Sequence, residues 1–183
     1  YNGVASTYLQ DIVGTDEAVR FYFVPNASFT LPEIGDYPII MIGPGTGIAP
    51  FRAFLAEHEY HGNSGKTWVF FGERNSATDF LYEDELLGFQ QRGVLTRLDL
   101  AFSREQAEKI YVQDKMRENG AELFKWLSNG ARLFVCGDAE RMAKDVDKAL
   151  HEIVKVHGGM NANEAANYVD DLKRSKRYLR DVY

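Results

Sequence analysis

The sequence predicts an α/β fold, a doubly wound parallel sheet of five strands covered by helices. Two observations carry this prediction: from about Tyr37 onward short apolar runs alternate with helical patterns, and most helical patterns stop at a glycine. The apolar runs are IIMI, TWVFFG, TRLDLAF, ARLFVCG and the closing RYLRDVY. Most are near-continuously apolar, which is typical of parallel strands buried on both faces.

Helical spacing fills the segments between these runs. One helix is predicted in each of PFRAFLAEHEYHG, DFLYEDELLGFQQRG and AERMAKDVDKALHEIVKVHGG. The segment YVQDKMRENGAELFKWLSNG predicts two short helices broken near Gly120, and NANEAANYVDDLKRSKR predicts the last helix. No repeat or low-complexity linker interrupts this order.

Residues 1–36 have a different pattern. The stretches GVASTYLQDI and RFYFVPNASFTLPE combine strand-like alternation with prolines and turn residues and lack a helical period. We expect residues 1–36 to be the end of a preceding all-β domain and residues 37–183 to be the main domain, with the boundary between Gly35 and Pro38. Because the chain begins at Tyr1 rather than methionine, we expect it to be part of a longer protein.

Composition excludes several functional classes. The chain has 183 residues, 45% of them hydrophobic, and a net charge of -6, which argues against a nucleic-acid partner. No apolar run approaches the roughly 20 residues that span a bilayer, and the first residues do not resemble a signal peptide, so no membrane partner is expected. The single cysteine, Cys136, excludes an internal disulfide and fits a cytoplasmic setting.

No metal site is expected either. The four histidines, His58, His61, His151 and His157, lie on predicted helices or at their ends, without cysteine or acidic partners at ligand spacing. We predict that they lie on solvated helix faces.

The stretch IIMIGPGTGIAPFRAF, residues 39–54, joins a predicted buried strand to a helix. Its glycines let the backbone turn sharply and approach a ligand, and the helix start offers free N–H groups to an anion. Thr46 is placed either to cap that helix or to bond a phosphate oxygen. The loop lacks the Lys-Ser/Thr of an NTPase loop, and its third glycine comes too early for the dinucleotide fingerprint. A tight turn without a ligand is the alternative interpretation.

A second cluster follows the third predicted strand, in TRLDLAFSREQAEKIYVQDK. Ser103 and Arg104 fall at the carboxyl end of that strand, where open α/β sheets bind ligands, and Lys109 and Tyr111 follow closely. A guanidinium, an ammonium and a hydroxyl suit the 2′-phosphate of NADP, and a phenol can stack on adenine. Two charged hydrogen bonds of about 1.5–3 kcal/mol each would favour NADP over NAD by roughly two to four decades. A solvated charged loop is the alternative.

Five motifs in one order carry a resemblance to a known family: GPGTGIAP, FFGER, SREQAEKIYVQ, VCGDAERMAKDV and a terminal aromatic residue. Together they resemble the NADP-binding domain of the ferredoxin-NADP reductase superfamily, and within it the diflavin reductases. The ending SKRYLRDVY and the phrase YVQDKMRENGAELFKWL are most similar to the bacterial sulfite reductase branch of that family. The resemblance covers nearly the whole chain.

The resemblance implies the residues that bind NADP. Thr46 would contact the diphosphate, with Arg74 nearby, and the cluster from Ser103 would hold the 2′-phosphate and adenine. The full set that the resemblance assigns to NADP is Gly45, Thr46, Gly47, Arg74, Ser103, Arg104, Lys109, Tyr111, Gln113 and Asp145.

The resemblance also implies catalytic and flavin-binding residues. Cys136 would lie beside the nicotinamide and, with Asp181, assist hydride transfer, while Tyr183 would stack on the flavin and yield its place to nicotinamide. From the residues alone, Cys136 is equally well a small buried apolar residue, and a terminal aromatic is more often a core plug. In GVASTYL, the resemblance assigns Gly3, Ser6 and Thr7 to FAD.

For the full-length parent, the resemblance implies an NADPH-dependent oxidoreductase that carries FAD and FMN on domains of its own. Its electrons would pass to a haem-containing sulfite reductase subunit for cysteine biosynthesis. The family's Arg-x-Tyr-Ser flavin motif does not occur in the chain, so we do not expect these 183 residues to be active without the flavin domains. The alternatives are another diflavin reductase, of the cytochrome P450 reductase type, and a non-catalytic nucleotide-binding module.

Overall fold

The structure, a computed structural model, describes residues 4–22, 24–31, 37–62 and 65–183. Its centre is a five-stranded, wholly parallel sheet in the order β3-β2-β1-β4-β5. The strands are β1 (Ile39–Ile42), β2 (Thr67–Glu73), β3 (Arg97–Phe102), β4 (Arg132–Gly137) and β5 (Tyr178–Val182). All five predicted strands are therefore confirmed.

Eight α-helices occur among the described residues. The pair predicted on either side of Gly120 is confirmed as two helices, and the segment after β2 forms a one-turn helix and a longer one. The helices are α1 (Val4–Thr7), α2 (Ala49–Tyr60), α3 (Ser76–Asp79), α4 (Glu83–Gln91), α5 (Val112–Glu118), α6 (Gly120–Ser128), α7 (Met142–His157) and α8 (Ala162–Arg174).

The sheet is packed with helices on both faces. Along β1, Ile40 and Ile42 join the core formed with α5, α6, α7 and α8, while Ile39 and Met41 join the core formed with α2 and α4. This follows from the period of two along a strand, which sends successive side chains to opposite faces. Burial on both faces is what the apolar runs predicted, and the doubly wound architecture is confirmed.

The topology locates the point where a ligand is expected. From β1 the chain proceeds outward through β2 to β3, then returns to the other side of β1 for β4 and β5. The direction of winding therefore reverses between β1 and β4. Open α/β sheets bind ligands beyond the carboxyl ends of their strands at such a reversal.

The expectation of strands in the first 36 residues was wrong for the residues described there. Val4–Thr7 is α-helical, Tyr8–Ile12 continues as a π-helical turn, and none of the described residues 13–31 forms a strand. A strand needs a hydrogen-bonded neighbour, and none of the sheet's strands pairs with this segment. The division at residues 36 and 37 stays a prediction, since residues 32–36 lie outside the described residues.

Phe29 anchors this segment to the main domain, together with a hydrogen bond from Asn26 Nδ2 to Asp181 Oδ1 at 3.5 Å. The ring of Phe29 is buried, with its centroid 5.5 Å from that of Phe134 on β4 and 6.2 Å from that of Phe51 on α2. The rings of Phe21 and Tyr22 are 76% and 86% exposed. Within the described ranges, no helix is long and apolar enough to cross a membrane.

Candidate functional site

A cleft of about 630 Å³ opens at the carboxyl edge of the sheet. Its walls come from the loops that follow β1, β2, β3 and β4, and from the first turns of α5 and α7. The cleft is lined by Pro44, Gly45, Gly72, Glu73, Arg74, Ala101, Ser103, Arg104, Lys109, Tyr111, Val112, Gln113, Asp138, Arg141, Met142 and Asp145.

The glycine loop between β1 and α2 forms one side of this cleft. Gly45–Ile48 is a single 3-10 turn, and Gly45 has φ +56°, a conformation that favours glycine. Position 47 requires glycine for another reason, because a Cβ there would lie 2.1 Å from the carbonyl oxygen of Cys136 at the end of β4. Only Gly45 of the two lines the cleft. Gly47 is buried where the loop packs on β4, and its predicted contact with the cofactor stays a prediction.

The predicted cluster after β3 is brought together in the cleft. The backbone N–H groups of Ser103 and Arg104 donate to the carbonyls of Glu73 and Arg74, at 2.8 and 3.0 Å, which continues the β2–β3 pairing into the loops. This pairing places Arg74 beside the cluster although 29 residues separate it from Ser103. The side chains of Lys109 and Tyr111 complete the same wall.

Four cationic side chains line the cleft without a salt bridge among the described residues. Arg74, Arg104, Lys109 and Arg141 all line it, and none forms a salt bridge with any residue in the described part of the chain. Elsewhere on the surface most arginines are paired, as Arg117 is with Glu152 at 2.7 Å. Unpaired guanidinium and ammonium groups converging on one cleft are suited to an anion.

The wall made by α5 and α7 is polar. Gln113 donates through Nε2 to Oδ2 of Asp145 at 3.5 Å, so these two predicted residues face each other across the helices. Asp138 accepts from the backbone N–H groups of Arg141 and Met142, at 2.8 and 2.9 Å, and these bonds lower the pKa of its carboxyl group. The Asp138 side chain thus satisfies two N–H groups at the start of α7.

Thr46 lies outside the lining of the cleft. It is exposed, and its hydroxyl is hydrogen-bonded to that of Tyr183 at 2.8 Å. The backbone of Tyr183 is held as well, because its N–H donates to Gly137 at 3.1 Å and its carbonyl accepts from Ala139 at 3.0 Å. The ring is nevertheless 69% exposed, so this terminal aromatic is not a core plug.

Cys136 and Asp181 face each other in the register of β4 and β5, as the predicted pair requires. Cys136 is only 3% exposed. Burial, and secondly the negative charge of Asp181, raise the pKa of its thiol to about 11. The thiol is therefore protonated at neutral pH. Neither residue lines the cleft, and their roles in hydride transfer stay a prediction.

The predicted FAD residues fall on the first segment. Gly3 lies outside the described residues, while Ser6 and Thr7 are on the one-turn helix α1 and do not line the cleft. Their contact with a flavin stays a prediction.

One histidine departs from the prediction of solvated helix faces. His58 is buried, at 4% exposure, because it lies on the core face of α2 with Phe51 and Leu55. Burial lowers the pKa of its imidazole. Among the described residues, no group of three or more histidine, cysteine and acidic side chains is arranged to hold a metal ion.

Sequence reasoning missed three charged residues of the cleft: Glu73, Asp138 and Arg141. A signal for them existed, because each lies at or shortly after the carboxyl end of a predicted strand, the rule that found Ser103. Of the three, Arg141 changes the charge of the cleft in favour of an anion, because it adds a cation on the β4 side.

The cleft fits a dinucleotide in size and chemistry. Its volume lies within the roughly 300–1,000 Å³ range of small-molecule sites. Arg104 and Lys109 supply charges for phosphate, and Tyr111, 44% exposed, supplies an aromatic face.

Comparison with known proteins gives two findings. Residues 41–148 match the family described as oxidoreductase NAD-binding domain. Over 182 residues the chain is also 53% identical to a sulfite reductase (NADPH) flavoprotein alpha-component from Yersinia pestis bv. Antiqua (strain Antiqua). Identity is 54% over 181 residues to the protein of that name from Cronobacter sakazakii (strain ATCC BAA-894). These matches cover 100% and 99% of the chain, which spans about 30% of the length of each relative.

Proposed function

The chain belongs to the family of oxidoreductase NAD-binding domains, and on that premise we propose that it is the NADPH-binding part of a sulfite reductase flavoprotein. The observation that carries the proposal is the group of unpaired cations, Arg104 and Lys109 above all, beside Ser103 and Tyr111 in the cleft. NAD-specific sites place a carboxylate near the ribose 2′-hydroxyl, whereas this wall offers positive charge. The names of the relatives, which contain both NADPH and sulfite reductase, support the same assignment.

In this proposal the adenosine end of NADP lies against the β3 side of the cleft. Arg104 binds the 2′-phosphate through its forked guanidinium, Lys109 adds a point charge, and Ser103 donates a hydroxyl hydrogen bond. Tyr111 stacks on adenine, with Gln113 and Asp145 on the adjoining wall. Gly45 lets the backbone approach the diphosphate.

The nicotinamide end is directed to the β4–β5 side. When bound, NADPH would supply the hydride, and the protein would supply position and surroundings. Cys136 offers a neutral, buried thiol and no nucleophilic thiolate at neutral pH, since its pKa is about 11. Asp181 lies opposite it in register, and Tyr183 covers this side with an exposed ring.

The longer protein would add what this chain lacks. FAD would accept the hydride and FMN would pass electrons on to a haem-containing sulfite reductase subunit, in the cytoplasm, for reduction of sulfite to sulfide. Support for this comes from the relatives' names and from the chain covering 30% of their length, which leaves room for flavin domains. A full-length protein that failed to oxidise NADPH with FAD bound would contradict it.

The direct test is calorimetric titration of the chain with NADP⁺ and separately with NAD⁺. Charged hydrogen bonds of about 1.5–3 kcal/mol each predict that NADP⁺ binds at least about a hundredfold more tightly. Equal affinities would contradict the assignment of the β3 cluster to a 2′-phosphate. No binding of either ligand would contradict a nucleotide site in the chain by itself.

A further inference from the structure

Arg141 has the features of a ligand-binding residue, and its guanidinium forms no salt bridge within the described part of the chain. It is exposed and lines the cleft from the β4 side. Its backbone is fixed, since its N–H donates to Asp138 at 2.8 Å and its carbonyl accepts from Asp145 at 3.0 Å. The guanidinium is therefore presented from a rigid turn and left available.

The charge of Arg141 is opposed at one point and favoured at another in the chain itself: the nearby carboxylate of Asp138 attracts it, and the helix that follows repels it. Arg141 immediately precedes α7, a helix of 16 residues, and a cation at a helix start opposes the helix dipole. The cap formed by Asp138 already uses the N–H groups of Arg141 and Met142. An anion in the cleft would therefore bind the guanidinium of Arg141 and balance its charge, since these N–H groups at the helix start are already hydrogen-bonded.

The sheet separates Arg141 from the 2′-phosphate cluster. Ser103 and Arg104 follow β3, while Arg141 follows β4, and the order β3-β2-β1-β4 puts three strand spacings, about 14 Å, between the two strands. Arg141 instead follows β4, beside the reversal between β1 and β4, and lines the cleft together with Pro44 and Gly45 of the glycine loop. At that backbone spacing, Arg104 and Arg141 are placed to meet different parts of an extended ligand.

We propose that Arg141 binds the diphosphate bridge of the dinucleotide, the part that NADP and NAD have in common. This inference rests on the proposed NADP site. It gives the cations of the cleft two different roles. Arg104 and Lys109 select for the 2′-phosphate, whereas Arg141 contributes affinity without discrimination between the two cofactors.

The test compares Arg141→Gln with Arg104→Gln, using NADP⁺ and 2′-AMP, which carries the 2′-phosphate without a diphosphate. Arg141→Gln is expected to weaken NADP⁺ about tenfold to a hundredfold and to change 2′-AMP less than twofold. Arg104→Gln should weaken both ligands by similar factors. Lys144→Gln is the matched control, because Lys144 is exposed on the same helix outside the cleft lining, and it should leave both affinities within twofold.

Stability supplies a second readout. Because the repulsion between Arg141 and the dipole of α7 offsets its attraction to Asp138, Arg141→Gln should leave the melting temperature of the ligand-free chain nearly unchanged. Arg141→Lys, which retains charge but not the fork, should lose part of the NADP⁺ affinity. Unchanged NADP⁺ binding in Arg141→Gln, or equal weakening of NADP⁺ and 2′-AMP, would overturn the inference. Failure of the wild-type chain to bind NADP⁺ would instead overturn the proposed function.

Discussion

The two ends of the sheet's carboxyl edge are built differently. The β2–β3 end presents Arg74, Arg104 and Lys109 to the cleft, with no ion pair to restrain them within the described residues. The β4–β5 end is compact: Cys136 is buried, and Tyr183 is held by its backbone and by Thr46. The β2–β3 end is therefore distinguished by its positive charges, and the β4–β5 end by buried and hydrogen-bonded groups.

In the proposed function, the open β2–β3 end supplies affinity for the cofactor and the packed β4–β5 end positions the reacting groups. A charged, open wall can bind phosphate strongly and select between cofactors, and it requires little precision from the backbone. A site that positions a reacting atom needs its groups held by packing and hydrogen bonds. Gly47, through its contact with Cys136, joins the loop that borders the first end to the strand that forms the second.

The largest expected effect comes from Gly47→Ala, which disrupts the packing of the glycine loop on β4. A Cβ would lie 2.1 Å from the Cys136 carbonyl oxygen, a backbone atom that cannot move aside without displacing β4. We expect a loss of about 2–4 kcal/mol in the free energy of unfolding, measured by urea denaturation. Gly14→Ala is the control, because its Cβ would meet only the Glu17 side chain at 3.7 Å. A loss as small as the control's would show that the loop does not depend on this contact.

A smaller effect, confined to the charged end, is expected from Arg104→Gln. Loss of one charged hydrogen bond to the 2′-phosphate, about 1.5–3 kcal/mol, should weaken NADP⁺ binding about tenfold to a hundredfold and leave NAD⁺ unchanged. Titration calorimetry measures both. In Arg92→Gln, which removes an arginine paired with Glu59 outside the cleft, the preference should persist. A parallel decline in NAD⁺ affinity would contradict selection by Arg104.

The packed end can be examined through the Cys136 thiol. Because its pKa is raised to about 11, alkylation of the folded chain by iodoacetamide should be slow at pH 8 and accelerate as the pH approaches 11. Denatured chain should react with an ordinary pKa near 8.5. Asp181→Asn removes the smaller of the two causes, so the profile should move to lower pH while burial keeps it above the denatured value. A folded profile matching the denatured one would contradict the burial of this thiol.

Raised folded-state pKa values have a consequence for stability. The folded chain retains the Cys136 proton to higher pH than the unfolded chain, so this contribution is complete below the unfolded pKa and is lost as pH rises toward about 11. Stability measured between pH 9 and 11 should therefore decrease.

The smallest expected effect concerns the bond between Thr46 and Tyr183. A double-mutant cycle with Thr46→Val and Tyr183→Phe should give a coupling of about 0.5–1 kcal/mol in unfolding, since the pair is exposed. Tyr60→Phe, at an 83% exposed ring, serves as the control for loss of a phenol hydroxyl. Additive effects would mean that the two hydroxyls do not stabilise each other in solution.

Local patterns predicted most of the main domain because strands and helices depend on neighbours in the chain. The runs IIMI and ARLFVCG contain enough apolar surface for both faces of a sheet, and the glycine at position 120 predicted the break between α5 and α6, which falls at Asn119. The alternating residues before Phe29 led to a wrong prediction of strands. Alternation shows that one face of a segment is apolar, but it does not show that another element is present to pack on that face. Most of the predicted cleft followed from one rule, that ligands meet the carboxyl ends of strands.

By itself the sequence determined the α/β class, the order of its elements and the cluster from Ser103 to Tyr111, because these are set by periodicity and short-range chemistry. Only the tertiary structure decided that Gly47 serves packing, that Thr46 is bonded to Tyr183 and that Arg141 joins the cleft. Each of these depends on distances between segments far apart in the chain. The physical reason is that sheet pairing and close packing bring such segments together, and a pattern along the chain contains no measure of that distance.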